Sequence, residues 1–399
     1  MERDHNRDAG TSTNELSGKH VDRQLLLTPG PLTTSPRTRA AMLRDWGSRD
    51  EDFIALTARV RERLLALAGA EQTHAAVLIQ GSGTFAIEAM LHTLMPRTGR
   101  LLALVNGAYG RRMADIARRL GRDLAVLEAA ENCIIGPEQV ARILAGDSRI
   151  SDVALVHCET TTGLLNPAEE IARIVTNEGR RFLLDAMSSF GALPLQPVAR
   201  LGGSIAASAN KCLEGAPGVA FVLAERAWLG HCEGQAQSLS LDLHAQWRFF
   251  ESSGQWRFTP PTHILAALDA ALAQLAEEGG PAERLARYRR NCAALVQGMR
   301  KLGFTTYLDD AVQAPIIVTF REPQGGWFDF QHFYRALHSA GIVIYPGKLT
   351  NDKSFRIGCI GAIDTSDIAA ALEAIAAYVL RHAHRGERIR MGDTLPEKP

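Results

Sequence analysis

Short apolar runs alternate with helical patterns through the middle of this chain, and this alternation restricts the possible folds more than any other feature. Helical spacing of apolar residues separates several of the runs, at residues 85–95, 111–120 and 167–178. Strands that are apolar along their whole length are buried on both faces, as in parallel sheets covered by helices. The sequence therefore predicts an α/β fold with a mostly parallel sheet. The predicted strands are residues 75–80, 101–105, 124–127, 153–158, 181–185, 204–208 and 219–223.

The pattern changes after about residue 281, which indicates a second, smaller domain. We predict a large domain over residues 23–281 and a small α+β C-terminal domain over residues 282–384. Whether the first segment, about residues 23–40, packs with the small domain is left open by the sequence. Polar and charged composition predicts a disordered tail over residues 1–22 and a flexible tail over 385–399. The small-domain elements are predicted as helices at 283–302, 328–339 and 365–380 and strands at 304–308, 315–320, 342–345 and 355–359.

Charge and composition exclude several classes of protein. Lys and Arg together number 44 and so do Asp and Glu, so the chain lacks the basic excess that nucleic-acid binding needs. No apolar run has the length of a membrane span, and the polar first 23 residues lack the apolar segment of a secretory signal. The six cysteines form no C-x-x-C pair and the histidines show no ligand spacing, so neither a metal nor a disulfide framework is predicted. We expect a soluble cytoplasmic enzyme.

A glycine-rich stretch at residues 81–84 (Gly-Ser-Gly-Thr) lies between a predicted strand and a predicted helix. This position offers unpaired backbone N–H groups and the positive end of the helix dipole, which suits a phosphate. A tight turn with a Ser or Thr cap is an equally good interpretation of the stretch alone. The stretch also matches the dinucleotide fingerprint, but the next strand ends in Asn106-Gly107 instead of the acidic residue that fingerprint requires.

Asp185 and Lys211 are two further candidates. Asp185 ends an apolar strand, where a buried carboxylate needs a cationic or donor partner, although an N-cap or purely structural role is an alternative. Lys211 lies among small residues and glycines, where partial burial favours a nucleophilic amine, although an exposed loop lysine would explain it as well. An anion site, a buried acid and a recessed lysine together match what pyridoxal 5′-phosphate requires.

With these residues, the chain resembles the class V aminotransferases of fold type I, which use pyridoxal phosphate. The resemblance covers about residues 25–380 and implies a mostly parallel sheet in a large cofactor-binding domain. Within the family it is most similar to the members that transfer the amino group of 2-aminoethylphosphonate to pyruvate in phosphonate degradation. The stretches that carry it are LTPGP at 27–31, QGSGT at 80–84, CETTTG at 158–163, DAMSSFG at 185–191, SANKCLEG at 208–215 and RFTPPT at 257–262.

The resemblance implies a catalytic pair. Lys211 would form the Schiff base with the cofactor and later move the substrate proton, and Asp185 would pair with the pyridinium nitrogen. The phosphate and the phenolic oxygen of the cofactor would be held by small polar residues, with one of them supplied across a homodimer interface so that the two subunits share their active sites. These residues are Ser82, Gly83, Thr84 and Ser208 at the phosphate, Thr160 at the phenolic oxygen and Thr259 from the partner subunit.

Two more residues are assigned by the resemblance. Arg356 matches the position of the substrate-acid arginine, and its guanidinium suits a carboxylate or phosphonate. Tyr109 falls where relatives place a group over the cofactor ring, although a core tyrosine is an alternative. The substrates implied are 2-aminoethylphosphonate and pyruvate, and the products are phosphonoacetaldehyde and L-alanine. The alternative function is a serine or alanine aminotransferase of the same class with glyoxylate or pyruvate as acceptor.

Overall fold

The computed structural model describes residues 24–324, 326–350 and 352–392. No helix in this described part is both long and apolar enough to cross a membrane. The strands are β1 (Leu25–Leu26), β2 (His74–Gln80), β3 (Arg100–Val105), β4 (Asp123–Glu128), β5 (Ile150–Val156), β6 (Cys158–Glu159), β7 (Leu164–Leu165), β8 (Arg181–Asp185), β9 (Ser204–Ser208), β10 (Val219–Glu225), β11 (Ile317–Arg321), β12 (Ile342–Val343), β13 (Tyr345–Pro346) and β14 (Ser354–Gly358). The helices are α1 (Pro36–Ala40), α2 (Glu51–Ala68), α3 (Gly83–Leu94), α4 (Ala108–Arg119), α5 (Pro137–Gly146), α6 (Ala168–Asn177), α7 (Gln196–Arg200), α8 (Arg226–Gly230), α9 (Leu243–Ser253), α10 (Thr262–Glu277), α11 (Pro281–Lys301), α12 (Phe330–Ser339) and α13 (Thr365–Gly392), with a 3₁₀ turn at Ala41–Leu43.

The large sheet has seven strands in the order β2-β10-β9-β8-β5-β3-β4. They overlap the seven strands expected from the apolar runs, and the predicted α/β class is confirmed. β10 alone runs antiparallel to both of its neighbours. The segment between β9 and β10 contains no helix, so it does not provide the crossover that a parallel pair requires. The other neighbouring pairs are parallel.

Helices cover the large sheet because their apolar residues recur on one side. In α2, Phe53, Leu56, Val60 and Leu64 are spaced three or four residues apart and are all buried. They belong to the same core as the strands of the large sheet, whose central residues are almost fully buried except in the edge strand β4. The side chains at the strand ends are therefore held by a backbone that is fixed on both faces.

The C-terminal part has its own core around a three-stranded antiparallel sheet with the order β11-β14-β13. β1 pairs in parallel with β12, so the first described segment of the chain joins this part of the fold. The division into domains at residue 282 stays a prediction. The predicted strand at 304–308 is wrong, because this segment makes only one isolated bridge, between Thr306 and Phe320.

The last helix extends beyond its predicted end at residue 380. α13 continues to Gly392 through residues such as Arg, Ala and Glu, which favour a helix. The predicted flexible tail at 385–399 is therefore helical up to residue 392, and its remainder lies outside the described residues. The predicted disordered tail at 1–22 also lies outside them.

Candidate active site

The carboxyl ends of β2, β3, β5, β8 and β9 lie at one edge of the large sheet, because these strands run in the same direction. In open α/β sheets this edge is where ligands bind. A cavity here brings together eight of the ten residues expected from the sequence, namely Ser82, Gly83, Thr84, Tyr109, Thr160, Asp185, Ser208 and Lys211. Arg356 lies beside it, and Thr259 lies elsewhere.

The N-terminus of α3 forms one wall of the cavity. Ser82 is the N-cap of this helix, but its side chain makes no capping hydrogen bond. Gly83 packs against Met187, since a Cβ on Gly83 would lie 2.4 Å from the Met187 Sδ. Arg112 donates from its Nη1 to the Thr84 Oγ1 over 3.1 Å. Backbone N–H groups, two hydroxyls and a guanidinium thus surround a space suited to a phosphate.

Arg112 was missed by reasoning from the sequence. It lies on α4, whereas the phosphate stretch lies at the start of α3, and the two helices meet only in the folded chain. Its spacing on α4 is typical of an exposed helix face, so the sequence carried no signal that separates it from its neighbour Arg111.

Asp185 ends β8 at the floor of the cavity. Its Oδ1 accepts a hydrogen bond from the Met187 N–H over 2.9 Å. Burial raises the pKa of this carboxyl to about 7, although Lys211 and Arg112 oppose the shift. A cationic group facing Asp185 in the cavity would restore the charged carboxylate. The protonated nitrogen of a pyridine ring is such a cationic group.

Lys211 lies on the turn after β9. Its Nζ lies 3.4 Å from the Gly30 carbonyl oxygen, and burial lowers the pKa of its amine from the ordinary value. Gly30 has a φ of +130°, and a Cβ there would lie 2.6 Å from both the Lys211 Cδ and the Asn210 carbonyl oxygen. The Pro-Gly-Pro turn near the start of the chain therefore packs directly on the lysine stem, which explains why a glycine is needed there.

Glu159 supports the wall that carries Tyr109. This fully buried carboxylate accepts hydrogen bonds from the backbone N–H groups of Tyr109 and Gly110, both over 3.2 Å, and from the Thr161 hydroxyl over 2.5 Å. It thus caps the start of α4, where the helix dipole favours a negative charge. Gly107 allows this approach, because a Cβ there would lie 2.3 Å from the Glu159 Cγ. The only sequence signal for Glu159 was its position in the CETTTG stretch.

Tyr109 lies on this wall with cations near its ring. The Arg112 guanidinium carbon lies 4.9 Å from the ring centroid, and the Lys348 Nζ lies 5.2 Å from it. Burial acts to raise the pKa of the phenol, but the charges of Lys348, Lys211 and Arg356 together with a hydrogen bond to Thr160 outweigh it, and the pKa is lowered. Tyr109 therefore lines the cavity, and its role over a cofactor ring stays a prediction.

Arg356 comes from β14 of the small sheet and is almost fully buried. It donates from Nη1 to the Thr160 carbonyl over 2.8 Å and from Nε to the Pro346 carbonyl over 3.0 Å. Burial lowers the pKa of Arg356, while the nearby Tyr109 phenol opposes that shift. A guanidinium has five N–H donors, so the two carbonyl contacts fix it at the cavity and leave donors for an acidic ligand.

Thr259 does not reach this cavity within one chain. It lines a second pocket with Gly81, Phe85 and Phe258 on the other side of the phosphate stretch. Phe85 and Phe258 are about half exposed there. The expected role of Thr259 concerns the site of a partner subunit, so it stays a prediction.

The residues present fit pyridoxal phosphate. The cavity combines an anion-binding helix start, a buried acid with a raised pKa and a partly buried lysine with a lowered pKa. These are the three groups that the phosphate, the ring nitrogen and the aldehyde of this cofactor need.

Residues 35–357 match the family model described as aminotransferase class V. The chain belongs to the class V aminotransferases. The sequence resemblance to this family is therefore confirmed.

This class V aminotransferase has curated relatives of high identity. It is 52% identical over 352 residues to 2-aminoethylphosphonate–pyruvate transaminase 2 of Burkholderia lata. The matched stretch covers 88% of this chain and 94% of the relative. This chain is also 52% identical over 356 residues to 2-aminoethylphosphonate–pyruvate transaminase of Pseudomonas fluorescens, covering 89% and 96%. Among solved structures, pyridoxamine–pyruvate aminotransferase from Mesorhizobium loti superimposes with a TM-score of 0.83 at 25% identity, covering 92% of this chain and 94% of that one.

Proposed function

We propose that this protein transfers the amino group of 2-aminoethylphosphonate to pyruvate, giving phosphonoacetaldehyde and L-alanine, with pyridoxal phosphate as its cofactor. The observation that carries the proposal is the convergence of Lys211, Asp185 and the start of α3 on one cavity, with Arg356 beside it. The identity of about half of all residues to transaminases with this name supports the choice of substrates.

The large sheet would hold the cofactor. Ser82, Gly83, Thr84 and Ser208 would surround its phosphate, and Arg112 would add a positive charge next to Thr84. Thr160 would lie near the phenolic oxygen. When bound, pyridoxal phosphate supplies an aldehyde that takes up the amino group and a ring that withdraws electrons.

Asp185 and Tyr109 would hold the cofactor ring. Asp185 would face the protonated ring nitrogen, whose charge lowers the pKa of the carboxyl again. Tyr109 would stack on the ring face. Both side chains line the cavity, so a flat ring would be enclosed between the strand ends and α4.

Lys211 would act as the nucleophile and then as the base. Because burial lowers the pKa of its amine, a larger share of Lys211 is neutral near pH 7 than of an exposed lysine. The neutral amine would be available to hold the aldehyde of the cofactor, and the same Nζ would accept the proton from the substrate carbon that bears the nitrogen. Its turn is fixed by the packing of Gly30, so the Nζ stays at the cavity in both roles.

Arg356 would bind the acid group of both substrates. 2-Aminoethylphosphonate and pyruvate are both small anions, so one guanidinium can serve the two half-reactions in turn. We further propose a homodimer in the cytoplasm, in which Thr259 completes the phosphate site of the partner subunit.

The visible absorbance of the purified protein, supplemented with pyridoxal phosphate, tests the proposal. We expect the band of the bound cofactor to fade when 2-aminoethylphosphonate is added and to return with pyruvate but not with 2-oxoglutarate. A band that fades with serine or alanine and ignores the phosphonate would favour the alternative aminotransferase. The absence of any cofactor band would contradict the role of Lys211.

A further inference from the structure

A second cation lies close to Arg356 at the mouth of the cavity. The Lys348 Nζ lies 3.5 Å from the Tyr109 Oη, and Tyr109 lines the cavity. Lys348 lies in the connection between β13 and β14, the strand that carries Arg356, and it is exposed. The two cations thus reach the same phenol from neighbouring parts of the small sheet.

The charges around this phenol are mostly positive. Besides Lys348 at the phenol, Lys211 lines the same cavity as Tyr109, and Arg356 is hydrogen-bonded to the cavity residue Thr160. All three cations act to lower the pKa of Tyr109. The carboxylate of Glu159 lies below, where it is engaged by the N–H groups of α4. Among the residues that the structure describes, no carboxylate forms an ion pair with Lys348. The excess positive charge at the mouth is therefore open to an anionic ligand.

The loop that carries Lys348 is attached to the large-sheet side of the cavity. Thr350 donates from its N–H and its hydroxyl to the two Glu131 carboxylate oxygens, over 3.1 Å and 2.9 Å. Arg111 forms an ion pair with the same carboxylate. These contacts lie two residues after Lys348, so they restrict where the backbone of Lys348 lies relative to the cavity.

We propose that Lys348 binds the phosphonate group of the substrate together with Arg356 and makes the site selective for phosphonates over carboxylates. The planar guanidinium of Arg356 matches two oxygens. A phosphonate has a third oxygen and, like a phosphate monoester, a charge of about −1.5 to −2 near neutral pH. A carboxylate has two oxygens and a single charge, so Arg356 suffices for pyruvate. The inference rests on the proposed function, because it deepens how that substrate is recognised.

The two half-reactions of the cofactor-loaded enzyme test recognition of the phosphonate and of the carboxylate separately. In Lys348→Met we expect the apparent second-order rate constant for 2-aminoethylphosphonate to fall roughly tenfold or more, since a charge-assisted hydrogen bond is lost. The half-reaction with pyruvate should stay within about twofold of the wild type, because Arg356 is intact. Lys348→Arg should recover most of the loss. Lys353→Met, which removes another exposed lysine of the same loop, is the matched control and should change neither half-reaction.

Binding of two substrate analogues that lack the amino group gives a readout that does not depend on turnover. In calorimetric titrations of the cofactor-loaded protein, we expect Lys348→Met to weaken ethylphosphonate roughly tenfold and to leave propionate unchanged. Equal weakening of both anions, or of neither, would overturn the proposal. So would a wild-type protein that binds ethylphosphonate no better than propionate.

Failure of the proposed function would look different. If the wild type does not turn over 2-aminoethylphosphonate, the titrations still report whether Lys348 contacts a phosphonate. Turnover of 2-aminoethylphosphonate by Lys348→Met at the wild-type rate would keep the proposed function and reject the role of Lys348.

Discussion

The floor and the mouth of the cavity are built in different ways. The floor consists of Asp185 and Lys211, which are held at the ends of β8 and β9 in the centre of the large sheet. The mouth receives Arg356 and Lys348 from the small sheet and its connecting loop, and they touch the large-sheet side through Thr160 and Tyr109. The groups proposed for bond making thus lie at the ends of strands buried on both faces, whereas the groups proposed to recognise the substrate acid come from a separate part of the fold.

This difference leads to two kinds of mutational effect. Changes at the floor should impair the chemistry with every substrate, since the same lysine and acid act in both half-reactions. Changes at the mouth should act on substrate binding, and those that affect Lys348 should differ between a phosphonate and a carboxylate. The following predictions test this division in order of decreasing effect.

Lys211→Ala should have the largest effect. Loss of the amine removes both the nucleophile and the base, so we expect turnover to fall by at least about 10³-fold in both half-reactions. The protein should still bind pyridoxal phosphate through the start of α3 and Asp185, and its absorbance should lack the lysine-linked form. Steady-state kinetics and spectra measure both effects, with Lys353→Ala as the control. Retained turnover would remove Lys211 from the mechanism.

Asp185→Asn should mainly weaken binding of the cofactor. Losing one partner of a buried charge pair costs about 2 kcal/mol or more, which corresponds to a roughly 30-fold weaker affinity for pyridoxal phosphate. Fluorescence titration of the cofactor-free protein measures this affinity. A variant that binds the cofactor and turns over like the wild type would contradict the pyridinium role.

The pH dependence of stability isolates the same carboxyl in the cofactor-free protein. The pKa of Asp185 is about 7 in the folded chain and about 3.9 in an unfolded one, so the folded state binds more protons between these values. Its contribution to the free energy of unfolding is therefore lost progressively as the pH rises from about 4 to about 7. Urea denaturation at several pH values gives the free energy of unfolding, and we expect its pH dependence to differ between wild type and Asp185→Asn in this range. The same pH dependence in both proteins would show that the carboxyl has an ordinary pKa.

The floor was also the part that the sequence predicted best. Asp185 and the phosphate stretch follow continuous apolar runs, and such runs mark strand ends without knowledge of the rest of the fold. The antiparallel direction of β10 was not predicted, because an apolar run indicates a strand but not its direction. The role of Lys211 was predicted only from its combination with the other two groups.

The mouth was predicted less completely. Arg356 was assigned by family resemblance, since an arginine on a short strand is by itself typical of a surface ion pair. Lys348 lies in a polar loop, and nothing in its neighbours distinguishes it from Lys353. Its contact with Tyr109 joins residues 239 positions apart, so it depends on how the small sheet meets the large one.

Arg356→Ala should weaken both half-reactions while the cofactor stays bound. Hydrogen bonds to charged groups contribute about 1.5–3 kcal/mol, so we expect a loss of roughly 10- to 150-fold in the second-order rate constant with each substrate. Stopped-flow absorbance measures the two half-reactions separately, and the cofactor content is measured alongside. A normal rate with either substrate would mean that Arg356 does not bind that substrate. Loss of the cofactor would mean that Arg356 is needed for cofactor binding and not only for substrate binding.

Thr350→Val should give the smallest effect and the sharpest test of the mouth. The substitution removes the 2.9 Å hydrogen bond from the Thr350 hydroxyl to Glu131 and the long 3.4 Å contact of that hydroxyl with the Arg111 Nη2, but keeps the 3.1 Å bond from the backbone N–H. One such bond contributes about 0.5–1.5 kcal/mol, so the KM for 2-aminoethylphosphonate should rise roughly two- to tenfold as the Lys348 loop loosens. The KM for pyruvate and the cofactor affinity should not change, because neither depends on this loop. Ser339→Ala, which removes a hydroxyl bond to the Arg335 carbonyl on α12, is the matched control. An equal rise in both KM values would mean that the loop supports the whole cavity, and the division between floor and mouth would fail.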